Sequence, residues 1–127
     1  MRKSLTLTKL KKKLDAVFSQ FIRQKYADGN GNAQCFTCGY RAHWKKLQNG
    51  HLVSRYYLGT RFDERNCRPQ CYTCNMFRNG MIPDFSQKLE AELGEGITKE
   101  LYRDANKPVK WSEIDYIKKI DYYKKLV

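Results

Sequence analysis

The 127-residue sequence predicts an α+β fold, in which short strands at a stapled centre are flanked by α-helices. Three observations predict it. Apolar residues recur at three- and four-residue spacing near the start of the chain and again in its last third, the mark of amphipathic helices. A stretch rich in β-formers, "HLVSRYYL", lies near the middle. Two C-x-x-C pairs, "CFTC" and "CYTC", bracket that stretch. The length suits one domain with a modest core. Within residues 1–127 the expected order is an N-terminal helix over 1–30, a stapled ββα centre over 33–80, and C-terminal helices over 81–127.

The first element is the clearest. Leu7, Leu10, Leu14, Val17, Phe18, Phe21 and Ile22 fall on one helical face, and Lys11, Lys12 and Lys13 fall largely on the other. The turn formers of "DGNGN", residues 28–32, end it. Residues 33–74 read as a knuckle, short strands and loops, with "HLVSRYYL" as a strand or hairpin arm. A short helix is expected from near Cys74 to Gly80, because Pro83 and the residue before it disfavour continuation. "DFSQKLEAELG" predicts a helix with Asp84 as N-cap and Gly94 as stop. "GITKELYRDAN" predicts another, with Thr98 as cap. The last helix begins at "WSEIDYIKKIDYYKKLV", where Ser112 and Asp115 have capping-box spacing, although the box favours Glu or Gln at the second position.

The formal charge of +12 is unevenly placed. Residues 1–34 and 35–80 each carry 8 basic and 2 acidic side chains, net +6 apiece; residues 81–106 are net −3 and residues 107–127 net +3. A polyanion is the partner such a surface suits, and nucleic acid is the commonest; the bland alternative is a solvated basic face. No apolar run approaches the ~20 residues of a membrane span. The start, "MRKSLTLTKLKKKLD", lacks the apolar block of a secretory signal, so a cytoplasmic protein is expected.

Cys35, Cys38, Cys67, Cys71 and Cys74 are odd in number, which argues against a disulfide framework. Each C-x-x-C turn brings two thiolates to one ion, and two turns close a tetrahedral shell with no open position, as in structural zinc sites. The expected ligands are Cys35, Cys38, Cys71 and Cys74, with Gly39 supplying the backbone freedom of the first turn. The run C-x3-C-x2-C also lets Cys67 replace Cys71. The repeated spacing favours Cys71, leaving Cys67 as a small buried thiol. A knuckle, a hairpin and a helix opening at the second pair make a treble-clef arrangement.

His51 falls between the two pairs, Asn66 lies five residues before Cys71, and Asn75 follows Cys74. This order resembles the HNH, or His-Me finger, nucleases with their ββα-metal core, here as an H-N-N variant. The motifs "CFTCG", "GHLVSR", "RFDERN", "QCYTCN" and the following "NG", over roughly residues 12–104, resemble the phage NinG family, also called Rap recombinase, which in layout is similar to junction resolvases of the endonuclease VII type.

The resemblance implies a metal-dependent DNA endonuclease acting on branched recombination intermediates such as Holliday junctions, in the host bacterial cytoplasm if phage-encoded. It implies His51 as general base, Asn66 as the residue that braces the loop and orients it, and Asn75 as an oxygen ligand of Mg²⁺ or Mn²⁺. Arg55, Arg61 or Arg65 would clamp phosphate. Many relatives place an acidic residue or histidine directly before the catalytic histidine; here it is Gly50, and the missing ligand is sought at Asp63 or Glu64, with Glu64 favoured. Symmetric cutting of a four-way junction needs two active sites, so a homodimer is expected, with the first or last helix as a contact. His43 has no motif support. Tyr56 and Tyr57 suit base stacking or core packing, core for at least one. The alternatives are a non-catalytic zinc-dependent nucleic-acid-binding module and a general HNH nicking endonuclease.

Overall fold

The computed structural model describes residues 2–127, with side chains from residue 6 onward. The fold is α+β, with mixed helices and two small sheets. The order is α1 (Arg2–Lys25), β1 (Asn32–Gln34), β2 (Arg41–His43), β3 (Gln48–His51), α2 (Leu58–Arg61), β4 (Cys67–Gln70), a π-helical turn (Thr73–Phe77), α3 (Ile82–Leu93), α4 (Ile97–Ala105) and α5 (Glu113–Lys124). Two antiparallel hairpins form the sheets, β1 with β2 and β3 with β4. In the second, His51 stands opposite Cys67 and Gly50 opposite Arg68.

Three apolar clusters hold these elements. Leu14, Val17, Phe18 and Ile22 of α1 bury against Tyr116, Ile120 and Tyr123 of α5, with Phe62 and Cys67 between. The rings of Phe18 and Tyr123 meet edge to face, centroids 5.0 Å apart. A second cluster joins Leu52 and Val53, just beyond β3, to Phe85, Leu89, Ile97 and Leu101 of α3 and α4. A third gathers Ala33 and Leu47 around Cys35, Cys71 and Cys74. The β3–β4 hairpin is thus gripped from several sides. None of the described helices is long and apolar enough to cross a membrane.

Several local expectations are corrected. "HLVSRYYL" contributes only His51 to a strand. Pairing stops there because the partner strand begins at Cys67, directly after a 3-10 turn over Glu64–Asn66. Leu52 and Val53 then satisfy their N–H groups on the Asn66 carbonyl and side-chain oxygen. Asp84 does not cap α3: the helix starts earlier, with Pro83 in its first turn, where a missing N–H costs nothing. Gly94, at φ +111°, does end it. Thr98 lies inside α4, whose first donors are met instead by Glu90 of α3, accepting from the Gly96 and Thr98 N–H groups at 2.7 and 2.8 Å. Those bonds pull the Glu90 carboxyl below its usual range. The Ser112–Asp115 capping box is present, the Asp115 side chain accepting from the Ser112 N–H at 2.8 Å.

Candidate functional site

The four cysteines of the two C-x-x-C pairs come together. The sulfurs of Cys35, Cys38, Cys71 and Cys74 all lie within 4.8 Å of one another, and those of Cys38 and Cys71 are 3.7 Å apart. A tetrahedron with metal–sulfur bonds of about 2.3 Å has edges of about 3.8 Å, so this set fits a structural metal such as zinc. Backbone geometry builds the first knuckle: Gly39, at φ +83°, turns the chain so that its N–H reaches the Cys35 carbonyl at 3.0 Å. Burial pushes the Cys74 thiol up to about 12; at Cys35 burial is outweighed by the Cys71 N–H and the Thr37 hydroxyl, among other donors, and the value falls to about 6. Four thiols gathered in one cluster suit a dication that replaces their protons. Cys67 is outside the cluster, fully buried in the α1–α5 core.

Beside this centre lies a cleft of about 810 Å³, with His51 and Asn75 both on its wall. His51 is half-buried at the end of β3. Its Nε2 is 3.0 Å from the Arg61 carbonyl oxygen. A carbonyl only accepts, so Nε2 carries the proton and Nδ1 holds the free lone pair. Burial lowers the imidazole to about 4, against the weaker opposing pull of the Arg61 carbonyl bond. The ring is therefore neutral at physiological pH. Asn75, in the π-helical turn, donates from Nδ2 to Gln48 Oε1 at 2.7 Å, which leaves its own side-chain oxygen available.

Asn66 is fully buried and reaches neither cleft nor solvent. Its side-chain oxygen accepts from the Val53 N–H at 2.8 Å, and its Nδ2 donates to the Val53 and Thr60 carbonyls at 3.0 Å each. Three bonds to two points of the 53–60 loop make it a positioning residue for the segment that carries Arg61, rather than a group that touches substrate. Arg55 is exposed on the cleft wall.

Four other expectations are corrected here. Asp63 and Glu64 do not line the cleft; they border a separate depression with Trp111, Lys119 and Tyr123. Asp63 is paired with Arg65 at 2.7 Å, and Glu64 with Lys25 at 3.3 Å and the Tyr123 hydroxyl at 3.0 Å. Arg65 is held by Asp63, Glu100 and Asp104 together, so it is no free phosphate clamp. Arg61 is held by both Asp15 oxygens and by the Arg55 carbonyl. The charge network, invisible to local spacing, neutralises both. Gly50 also has a physical reason: a Cβ there would meet Gln70 Oε1 at 2.0 Å. Position 50 faces Gln70, so no side chain at that place could supply a cleft ligand.

The sequence reading missed what α1 contributes. Asp15, Ser19 and Arg23 line the cleft opposite β3. Their i, i+4, i+8 spacing was the available signal, a polar stripe beside the apolar face. Asp15 is the cleft's carboxylate, and its ion pair with Arg61 ties α1 to the loop that orients His51. His43 proves to be structural: its Nδ1 accepts from the Lys45 N–H at 3.2 Å and caps a short turn. Tyr57 packs on the α3–α4 cluster, while Tyr56 is 85% exposed.

No curated protein and no solved structure matches the chain. A family model, described as bacteriophage lambda NinG protein, matches residues 2–127, beyond the span of 12–104 over which motifs were recognised. The chain belongs to the bacteriophage lambda NinG protein family.

Proposed function

We propose that this protein is a metal-dependent DNA endonuclease of HNH type, acting on branched recombination intermediates such as Holliday junctions. The observation that carries the reading is the tautomer of His51: with Nε2–H held on the Arg61 carbonyl, a neutral Nδ1 remains as a base on a cleft shared with Asn75. In this reading the β3–β4 hairpin and the following metal-anchored turn are a treble-clef His-Me finger core. The order of the parts matches it: His51 on the first strand, Asn66 before the second, Asn75 just after the last cysteine.

Hydrolysis requires a water to attack phosphorus while the 3′-oxygen leaves. His51 Nδ1 takes the proton of the attacking water, and solvent returns one to the departing oxygen. An approaching phosphate raises the imidazole from its low resting value toward the working pH, because a nearby anion favours the imidazolium. Arg55, exposed on the cleft wall, attracts and orients the phosphate. Arg23, held by Ser19 and the Trp44 and Leu47 carbonyls but paired with no carboxylate among the described residues, adds positive charge to the same wall. The donor set suits a hard divalent ion held mainly by water and phosphate, with Asn75 Oδ1 as the protein oxygen, since the cleft carboxylate Asp15 is already bound by Arg61. Such an ion, Mg²⁺ or Mn²⁺, supplies positive charge to the phosphoryl oxygens and the leaving oxygen. Cutting both strands of a junction symmetrically calls for a homodimer.

The test is nicking of supercoiled, cruciform and four-way-junction DNA with Mg²⁺ or Mn²⁺, by wild type and His51→Ala. Wild type is expected to cut junctions faster than linear duplex, and His51→Ala to bind without cutting. Equal rates on junction and duplex point to a general HNH nickase. Binding without cleavage by wild type under both metals leaves a zinc-dependent nucleic-acid-binding module.

A further inference from the structure

The turn that carries Asn75, with the residue before it, also carries a group of exposed apolar side chains. Phe77 is 73% exposed, Met76 55% and Tyr72 54%. Phe77 and Tyr72 meet edge to face, ring centroids 5.5 Å apart at 80°. The pairing depends on the wide helical turn. Five residues along an α-helix point roughly 140° apart. The π-helical turn over Thr73–Phe77 brings positions five apart to nearly the same side. Cys71 and Cys74, whose sulfurs belong to the four-cysteine cluster, flank Tyr72 at the start of this turn.

The chain beyond the turn is unusual as well. Asn79, Gly80 and Met81 all have positive φ, at +52°, +85° and +51°. Two of the three are not glycine, a conformation that costs free energy and tends to sit at functional positions. Asn75, Met76, Asn79 and Gly80 line the cleft, so the segment that carries the aromatic pair also supplies part of the cleft wall. Exposed Arg78 follows Phe77 directly, in a segment of net charge +6. An apolar ring pair with a cationic neighbour, on the segment that walls a cleft, matches the chemistry of an unstacked nucleobase on its sugar–phosphate chain.

We propose that Tyr72 and Phe77 form a stacking platform for a nucleobase that is unpaired or unstacked next to the cut site, so that the chain selects DNA whose helix is interrupted there. The proposal rests on the DNA reading of the cleft and adds what distinguishes branched from continuous duplex. An intact duplex offers no base face to these rings, whereas a branch point, a bulge or a frayed end does.

The experiment measures binding of His51→Ala protein, in the absence of divalent ions, to three DNA probes of equal length: a continuous duplex, a duplex with one bulged 2-aminopurine, and a four-way junction with 2-aminopurine at the branch. The platform predicts quenching of 2-aminopurine on binding. It also predicts that Phe77→Ala and Tyr72→Ala, made in the His51→Ala background, each lose about tenfold in affinity for the bulged and branched probes, the scale of one base stack. Affinity for continuous duplex should stay the same, and Phe77→Trp should keep the preference. Phe77→Leu, which retains apolar bulk without a π face, should behave like the alanine variant. Unchanged preference in Phe77→Ala, or an equal loss on all three probes, overturns the platform while leaving the nuclease reading intact. A loss accompanied by dissociation of a dimer in sedimentation assigns the patch to a second copy of this chain and also overturns it. No binding of any probe by the parent protein removes the DNA reading itself.

Discussion

Arg61 links His51 to α1: the histidine ring donates from Nε2 to the Arg61 carbonyl at 3.0 Å, while the Arg61 side chain is clamped by Asp15 on α1. The orientation of the base thus depends on a helix some thirty-five residues earlier in the chain. The same arrangement sets the ring's protonation, because packing the imidazole against this loop removes it from water.

Stability should therefore depend on pH through His51. Its folded value is about 4 and its unfolded value about 6.5, so between them the unfolded chain binds the extra proton. Folding stability should rise with pH across that window and fall as pH drops from about 6.5 toward 4. The full span corresponds to about 3 kcal/mol. Urea unfolding of wild type and His51→Gln at pH 7 and pH 4.5 measures it: the variant should lose less stability on acidification. Parallel pH profiles for the two proteins would contradict the assignment.

Asn66 should prove costly to change and informative in how. Asn66→Ala leaves the Val53 N–H and the Val53 and Thr60 carbonyls without their partner inside the core. A loss of about 3 kcal/mol or more is expected. Asn66→Asp keeps the shape but turns an oxygen toward two carbonyl oxygens, so it should destabilise at least as much. Thermal unfolding ranks the two; an Asp variant as stable as wild type would sink the account.

These two residues mark how far the sequence could be read. The cysteine pairs marked the four-sulfur cluster that could hold a metal, and the H-N-N order pointed to His51 and Asn75, which share one cleft, because both signals are local spacings that short strands and turns convert directly into geometry. Asn66 was legible as a brace, but its separation from the cleft was not. The phosphate-clamp roles of Arg61 and Arg65 and the metal-ligand roles of Asp63 and Glu64 give way to ion pairs and hydrogen bonds. Arg61, Arg65 and Glu64 are decided by partners from α1, α4 and α5, and charge pairing between elements distant in sequence leaves no periodic trace; Asp63 is instead taken up by its near neighbour Arg65. The strand in "HLVSRYYL" failed similarly: β-propensity favoured extension, but the length of a strand is set by its partner, which begins only at Cys67.

Gly50 tests whether the missing acidic ligand can be restored. Gly50→Ala drives a methyl into Gln70, whose Nε2 is held by Thr37 and the Gly80 carbonyl at 3.0 and 2.8 Å. Destabilisation of about 1–3 kcal/mol is expected. Gly50→Asp should be worse and should not raise metal affinity in the cleft. Combining Gly50→Ala with Gln70→Ala should cost less than the two separately, since the second removes the obstruction met by the first. Additive losses in denaturant unfolding would show that the clash is relieved elsewhere.

The cysteine cluster makes the sharpest division among chemically identical residues. One zinc per chain is expected, and its removal by a strong chelator should unfold the β1–β2 knuckle and the π-helical turn, since a structural site adds its binding free energy to folding. Cys71→Ser should lose the metal, because Cys71 sits in the cluster and its sulfur is 3.7 Å from that of Cys38. Cys67→Ser should keep it, since that thiol lies apart in the α1–α5 core, where burial holds it far above its usual range. Its cost should appear only as stability, from a hydroxyl placed among Phe18, Phe62 and Tyr123. Metal content by atomic emission, together with thermal unfolding, separates the two effects. Zinc retained in Cys71→Ser but lost in Cys67→Ser would mean that the C-x3-C spacing, not the repeated C-x-x-C, supplies the third ligand, and the turn carrying Asn75 would then be anchored differently.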